Sequence, residues 1–279
     1  MDKKKKATRR KAREKKTKTW ATVTFWLLAL TITLCSVYII YSTLNTPLSP
    51  PRRPDVLIEN PYGPEDFIRD QSFVTCTAGP TRVGIDVSAH QGPIDWEAVR
   101  SGGIDFAFIR IGYRGYSVGI IKPDDRAREN LAAAKAAGLQ VGVYFYAQAI
   151  DPAEALEEAQ WCLDFLGDEA LDLPVVYDWE WVSAEARTGS MDKATLTECV
   201  NTFCEAIGQG GYEAMIYFNN HVSRDLLDLK TLQTYPFWLA QYKYQLDYPW
   251  LVDVWQYTEK GTVPGIEGDV DIDLMFLYE

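Results

Sequence analysis

From residue 82 to the end of the chain, short strand-like runs alternate with helical stretches. This alternation restricts the fold more than any other feature. Segments 82–87, 106–112, 140–146, 174–179, 214–218, 237–241, 252–257 and 271–276 are rich in Val, Ile, Tyr, Phe and Trp and have the length of strands. Helical patterns lie between the early ones. The Ala-rich stretch 126–137 stops at Gly138, a residue suited to the position after a helix end. The stretch 152–166 opens with Asp151 as N-cap, Pro152 at the first helical position and Glu154 two residues on, the sequence signature of a capping box. Gly167 marks its end, and a third helix is expected over 193–207, before Gly208. Toward the C-terminus the helices shrink and strands follow one another. Such alternation over about 200 residues predicts an α/β fold on a parallel sheet, open or closed as a barrel. In either case the site belongs at the carboxyl ends of the strands.

Acids stand at those ends. The run Val175-Val176-Tyr177-Asp178-Trp179-Glu180 puts two carboxylates at i and i+2, on one face of a strand and about 6.5–7 Å apart at Cα. Acids on the inner face of an apolar strand are costly unless paired or used. Glycosidic-bond cleavage uses such a pair: one carboxyl stays protonated to donate to the leaving oxygen, and another stays ionised against developing positive charge. Proximity helps to separate the two pKa values, because like charges disfavour double ionisation. The first strand also ends on an acid, in Val83-Gly84-Ile85-Asp86-Val87-Ser88, and the last carries Val270-Asp271-Ile272-Asp273. Acids on three separate strands converge only if those strands surround one mouth. Tyr144, Tyr146, Trp238, Tyr242, Trp255 and Tyr257 fall in or next to three other predicted strands and are candidate sugar-stacking faces around the acids.

The N-terminal part has another character. Residues 1–18 hold eleven of the 28 Lys and Arg and only two acids, so the remainder of the chain is strongly acidic although the net charge is −11. A body that acidic is repelled by a phosphate backbone, which argues against nucleic acid as a partner. No charged residue occurs from Thr19 to Pro51. A helix over 20–42 would span roughly 33 Å, enough for a hydrocarbon core of about 30 Å. The basic cluster before it predicts a cytoplasmic tail (1–19), a single transmembrane helix and an extracellular body. A cleaved signal peptide would have a shorter apolar core and a small-residue cleavage site. Six prolines between Pro47 and Pro64 then predict an extended, Pro-rich stalk over 43–80. The hydrolytic domain is expected over 81–279.

Other signals are weak. Outside the predicted span lie Cys76, Cys162, Cys199 and Cys204; the last three fall in helical patterns, where a buried free thiol is the ordinary reading. With only His90 and His221 in the chain, no ligand spacing suggests zinc, and nothing in the pattern asks for a cofactor. Gly115-Tyr116-Ser117-Val118-Gly119 matches the nucleophile elbow of serine hydrolases, with His221 as a candidate base. That elbow needs a strand running into the turn and a helix leaving it, and Gly119 and Pro123 spoil such a helix. His90 and His221 read as structural or rim residues.

Several motifs occur together and in order: Gly84-Ile85-Asp86-Val87-Ser88, Gly142-Val143-Tyr144, Asp178-x-Glu180, Trp238-Leu239-Ala240-Gln241-Tyr242, Trp255-Gln256-Tyr257 and Val270-Asp271. In this the chain from Arg82 to its end resembles glycoside hydrolase family 25, the Chalaropsis-type lysozymes. The resemblance implies a modified TIM-like β/α barrel that cleaves the β-1,4 bond between N-acetylmuramic acid and N-acetylglucosamine in peptidoglycan, without metal or cofactor. It implies Glu180 as general acid, Asp178 as its partner, and Asp86 and Asp271 as the remaining acidic wall. Phe145 departs from the pattern, since many relatives carry His after the Tyr; the change is expected to alter a subsite and removes no acid. A reading from another class is a non-catalytic wall-binding module built on such a barrel, which activity on purified peptidoglycan would separate from an enzyme.

Overall fold

The computed structural model of the protein describes residues 56–69 and 73–278. The predicted basic tail, the predicted membrane span and the predicted stalk up to residue 55 lie outside the described residues. Among the described residues no helix is long and apolar enough to cross a membrane.

In chain order the strands are β1 (Phe67–Arg69), β2 (Val74–Cys76), β3 (Thr81–Val87), β4 (Phe106–Arg114), β5 (Ile121–Pro123), β6 (Gln140–Ala147), β7 (Val175–Trp179), β8 (Ala214–Asn219), β9 (Phe237–Ala240), β10 (Val254–Gly261) and β11 (Val270–Phe276). The helices are α1 (Trp96–Ser101), α2 (Ala127–Ala136), α3 (Pro152–Leu166), α4 (Lys193–Gln209) and the short α5 (Leu229–Leu232). Strands β3, β4, β6, β7, β8, β9 and β10 pair in parallel, each with the next. β11 closes the barrel by pairing antiparallel with both β10 and β3, and β5 forms a hairpin on β4.

The eight predicted strands are the eight staves of this barrel. The expectation of a wholly parallel sheet fails at the last stave. Only residues 262–269 separate β10 from β11, and a parallel crossover needs about a dozen or more.

Inside the barrel, Phe106, Phe108, Tyr144, Val176, Met215, Tyr217, Trp238, Val254 and Met275 make one apolar cluster. Glycines make room for its largest members. A Cβ on Gly84 would lie 2.2 Å from the Phe106 ring, and one on Gly142 would lie 2.4 Å from Phe108. The freed space lets Phe108 stack on Trp238, with ring centroids 4.7 Å apart. The alternate residues of the same strands face outward, where they meet the helices in a second, larger core.

Helix α3 illustrates how local sequence sets an element. Asp151 Oδ1 accepts from the Glu154 backbone N–H at 2.9 Å, Pro152 opens the helix, and Gly167 leaves it at φ 58°, a conformation other residues enter at a cost. The capping box is only half closed. Glu154 receives the Ile150 N–H at 3.2 Å and otherwise serves as the partner of Arg187.

The predicted stalk must be corrected over its described part. Residues 56–69 and 73–80 are a strap on the barrel wall. The Ile58 carbonyl accepts from Leu251, and Asn60 donates to the Pro249 carbonyl, at 2.8 and 2.9 Å. β1 and β2 form a small hairpin whose Phe67 and Val74 are buried in the outer core. Phe67 meets Trp255 edge-to-face at 5.1 Å, and Tyr62 stacks on Phe276 at 5.0 Å. No helix lies in the chain between β9 and β10 or between β10 and β11, so the strap covers apolar faces that helices cover elsewhere. Proline-rich composition excludes a helix here, but it does not exclude docking of the apolar residues between the prolines. Phe67→Ala is therefore expected to cost about 3–5 kcal/mol of stability, read by denaturant unfolding. A stalk residue would lose nothing.

Candidate active site

Where the parallel strands end, a cleft of about 300 Å³ opens, lined by Asp86, Asp178, Glu180 and Asp271 together with Tyr144, Tyr146, Tyr217, Trp238, Tyr242, Gln256, Arg110 and Glu259. The sheet register brings these groups together. Asp178 is paired with Tyr146 on one side and Tyr217 on the other, and Asp86 lies between Asp271 and Phe108. Asp178 is buried near the end of β7, and Glu180 lies just beyond the strand, half-buried at the cleft.

Polar side chains tie the acids down. Gln256 Nε2 donates to Asp86 Oδ2 at 2.7 Å. Gln256 Oε1 accepts from the hydroxyls of Tyr217 and Tyr242, at 3.0 and 3.1 Å. Trp238 Nε1 donates to Asp273 Oδ1 at 2.9 Å. Arg110 is held by Asp124 through Nε at 2.9 Å and Nη2 at 2.8 Å. Two buried carboxylate oxygens of these acids, Asp178 Oδ1 and Asp273 Oδ2, have no hydrogen-bond donor among the protein's side chains and backbone.

Asp86, Asp178, Glu180, Asp271 and Asp273 are all pushed up from the ordinary carboxyl range. Burial is the first cause for Asp86, followed by the charges of Asp271 and Asp273, with the Gln256 bond acting against them. Burial and then Glu180 raise Asp178, while Arg110 pulls it down. Burial raises Glu180, and its contact with the Tyr217 hydroxyl acts against that rise. Asp271 is lifted to about 7 by burial and then by Glu259 and Glu180. Asp273 is raised by burial and by Asp271, and opposed by its contacts with Trp238 and Asp86. Desolvated acids this close cannot all ionise. Asp86 is itself a hydrogen-bond partner of Asp273, a contact that two ionised carboxylates could not make. The site thus holds protons at a pH where free carboxylic acids have lost them.

The structure gathers the four predicted acids at one mouth, with Tyr144, Tyr146, Trp238 and Tyr242 around them. Trp238 is floor and not an open stacking face: it is fully buried, bonded to Asp273 and stacked on Phe108. Trp255 and Tyr257 are not at the cleft. Gln256 points inward, so its neighbours on β10 point outward by the pleat. Trp255 Nε1 donates to the Gln241 carbonyl at 2.8 Å, and the Tyr257 hydroxyl accepts from Val74 N–H at 3.3 Å. Phe145 likewise faces out, against Trp161 at 5.5 Å, so its departure from the family pattern touches helix packing and no subsite. Ser117 sits exposed in the turn between β4 and β5; strand–turn–strand is not a nucleophile elbow. His221 is bonded to Asp225 at 2.9 Å on an exposed segment.

Arg110, Tyr217 and Glu259 have no place in the sequence pattern, and Gln256 and Asp273 enter it only inside motifs, without a role of their own. Asp273 carried a usable signal, being two residues beyond Asp271 on the same strand. Arg110 and Tyr217 carried none, since their place depends on neighbouring strands.

The chain resembles proteins of known kind. The profile described as Glycosyl hydrolases family 25 matches residues 85–266. The autolytic lysozyme of Clostridium acetobutylicum is 28% identical over 193 residues, covering 68% of this chain and 54% of that protein. Lysozyme M1 of Streptomyces globisporus is 28% identical over 211 residues, covering 67% of this chain and 65% of that protein. The chain thus spans between half and two thirds of the length of these curated relatives. Among solved structures, the modular autolysin LytC of Streptococcus pneumoniae, determined in complex with a synthetic peptidoglycan ligand, superposes with a TM-score of 0.63 at 24% identity, over 70% of this chain and 47% of that one. Match, barrel and clustered acids agree, and the chain belongs to glycosyl hydrolase family 25.

Proposed function

We propose that the protein is a peptidoglycan hydrolase with lysozyme activity, cutting the β-1,4 bond between N-acetylmuramic acid and N-acetylglucosamine. The observation that carries this is the Asp178-x-Glu180 pair, desolvated at the barrel mouth in a cleft walled by tyrosines. The lysozymes among its relatives support the bond. Of the pair, Glu180 is the more open to the cleft, so it hands its proton to the leaving oxygen as general acid. Asp178, with Arg110 beside it, serves as the stabilising carboxylate. Asp86 and Asp271 set the field around the pair, and Tyr144, Tyr146 and Tyr242 offer ring faces to sugars. A barrel retained for binding alone would not need so many carboxyls buried together at its mouth, a costly arrangement.

The products decide. Digestion of purified peptidoglycan by the full chain, followed by borohydride reduction, is expected to yield muramitol at the new ends. Glucosaminitol would make the enzyme a glucosaminidase, and peptides released from intact glycan strands would make it an amidase.

The basic cluster and the uncharged run over 20–42 support a single-pass anchor, with the N-terminus in the cytoplasm and the barrel outside. Protease added to intact cells should then remove the barrel. Its protection, or its release as a shorter soluble protein, would overturn the anchor.

A further inference from the structure

The pair's geometry depends on something that holds Glu180, and the sheet does not. The β6–β7 ladder ends at Ala147 and Trp179, and the β7–β8 ladder ends at Asp178 and Tyr217. Glu180 lies past both. Its carbonyl accepts instead from a side chain, Gln148 Nε2, at 3.0 Å. Gln148 is the first residue after β6 and is wholly buried. Its amide thus adds one further rung between β6 and β7, made by a side chain where the main chain no longer reaches.

That rung is itself locked from every side. Gln148 Oε1 accepts from Thr188 Oγ1 at 2.7 Å, both groups being buried. The Gln148 backbone N–H donates to Glu158 Oε1 at 3.1 Å, and its carbonyl accepts from Arg187 Nη1 at 2.7 Å. Arg187 is gripped by both oxygens of Glu154, at 2.6 and 2.7 Å, a bidentate pairing with defined geometry. Glu158 is paired with the buried Arg114 at 2.8 Å. Thr188 and Arg187 belong to the segment that leaves Glu180, so that segment folds back and closes on Gln148. The carbonyl of the acid and the hydroxyl of Thr188, eight residues on, are thus bonded to one side-chain amide.

We infer that Gln148 is a positioning residue for Glu180, fixing the backbone of the acid through the Nε2–carbonyl bond while Thr188 and Arg187 fix Gln148. The inference rests on Glu180 being the group that delivers the proton. Gln148 touches no substrate and lies outside the residues that line the cleft. Misplacement of a reacting group by about 1 Å can cost on the order of 10²-fold in rate, so the effect belongs in kcat.

The test uses the full chain. Gln148→Met keeps the length of the side chain and removes both amide bonds. Folded Gln148→Met is expected to lose about 10–100-fold in kcat on soluble glycan strands, with KM within about threefold. Thr188→Val leaves the bond to Glu180 and frees the amide, so a loss of several-fold in kcat is expected. A purely structural role would lower the melting temperature and the folded fraction yet leave kcat per folded molecule unchanged, and that outcome overturns the inference. If Gln148→Met does not fold, Thr188→Val decides by the same criterion. The titration of the Glu180 carboxyl, followed by ¹³C NMR, is a readout without substrate. It should move in the variants, and an unchanged curve counts against the inference. A wild-type chain that cuts no peptidoglycan would sink the lysozyme reading, leaving the NMR comparison to judge Gln148.

Discussion

Glu180→Gln is expected to lower kcat by ~10²–10⁴-fold or more, because the amide keeps the volume of the acid and cannot deliver its proton. The fold should survive. The half-buried side chain loses a charge the site already disfavours, since burial pushes the Glu180 carboxyl up. Circular dichroism would check the fold and reducing-end release the activity. Ser117→Ala, on an exposed turn, is the matched control and should be silent. A folded Glu180→Gln enzyme that clears peptidoglycan at close to the parent rate would end the assignment.

Asp178→Asn should split activity from stability. Activity falls severely, because an uncharged amide neither balances positive charge at the sugar nor accepts as strongly from an acetamido N–H. Stability moves the other way. Burial and the neighbouring Glu180 raise the Asp178 carboxyl in the folded protein, so above the pH at which the unfolded chain releases this proton, the fold must either keep it or bear a buried charge. Stability drawn from the raised value is complete below about pH 4 and is lost as pH rises toward the folded value. Asparagine has nothing to ionise. The variant should therefore melt higher than the parent at neutral pH, and the advantage should vanish below about pH 4. A variant less stable than the parent at pH 7 would mean that the charge of Asp178 is satisfied in the fold, and it would count against its place as a destabilised catalytic group.

Much of the site was legible because its signals are local. Two acids at i and i+2 on a strand share a face whatever surrounds the strand, so Asp178 and Glu180 could be paired from spacing alone. Strand composition located all eight staves, and the end signals of α3 were written in Asp151, Pro152 and Gly167. What failed had its cause elsewhere in the molecule. Trp255 and Tyr257 have the composition of a sugar-binding strand, but which face of β10 looks inward was decided by Gln256 meeting Asp86, 170 residues away. The proline-rich run looked like a spacer until the bare outer faces of β10 and β11 gave Phe67 and Tyr62 a surface to cover.

The sequence alone determined the strands, the α/β alternation, the opposite charges of the two ends of the chain and the acid pair, since period, caps and spacing are properties of neighbours along the chain. Only the tertiary structure decided the antiparallel closing stave, the strap, the inward face of β10 and the shared elevation of the carboxyl pKa values. It alone decided, too, that an amide on one strand end would hold the carbonyl of an acid on the next. Each of these depends on burial or on a contact between distant segments. Such contacts exist only once the barrel has closed and water has left its interior.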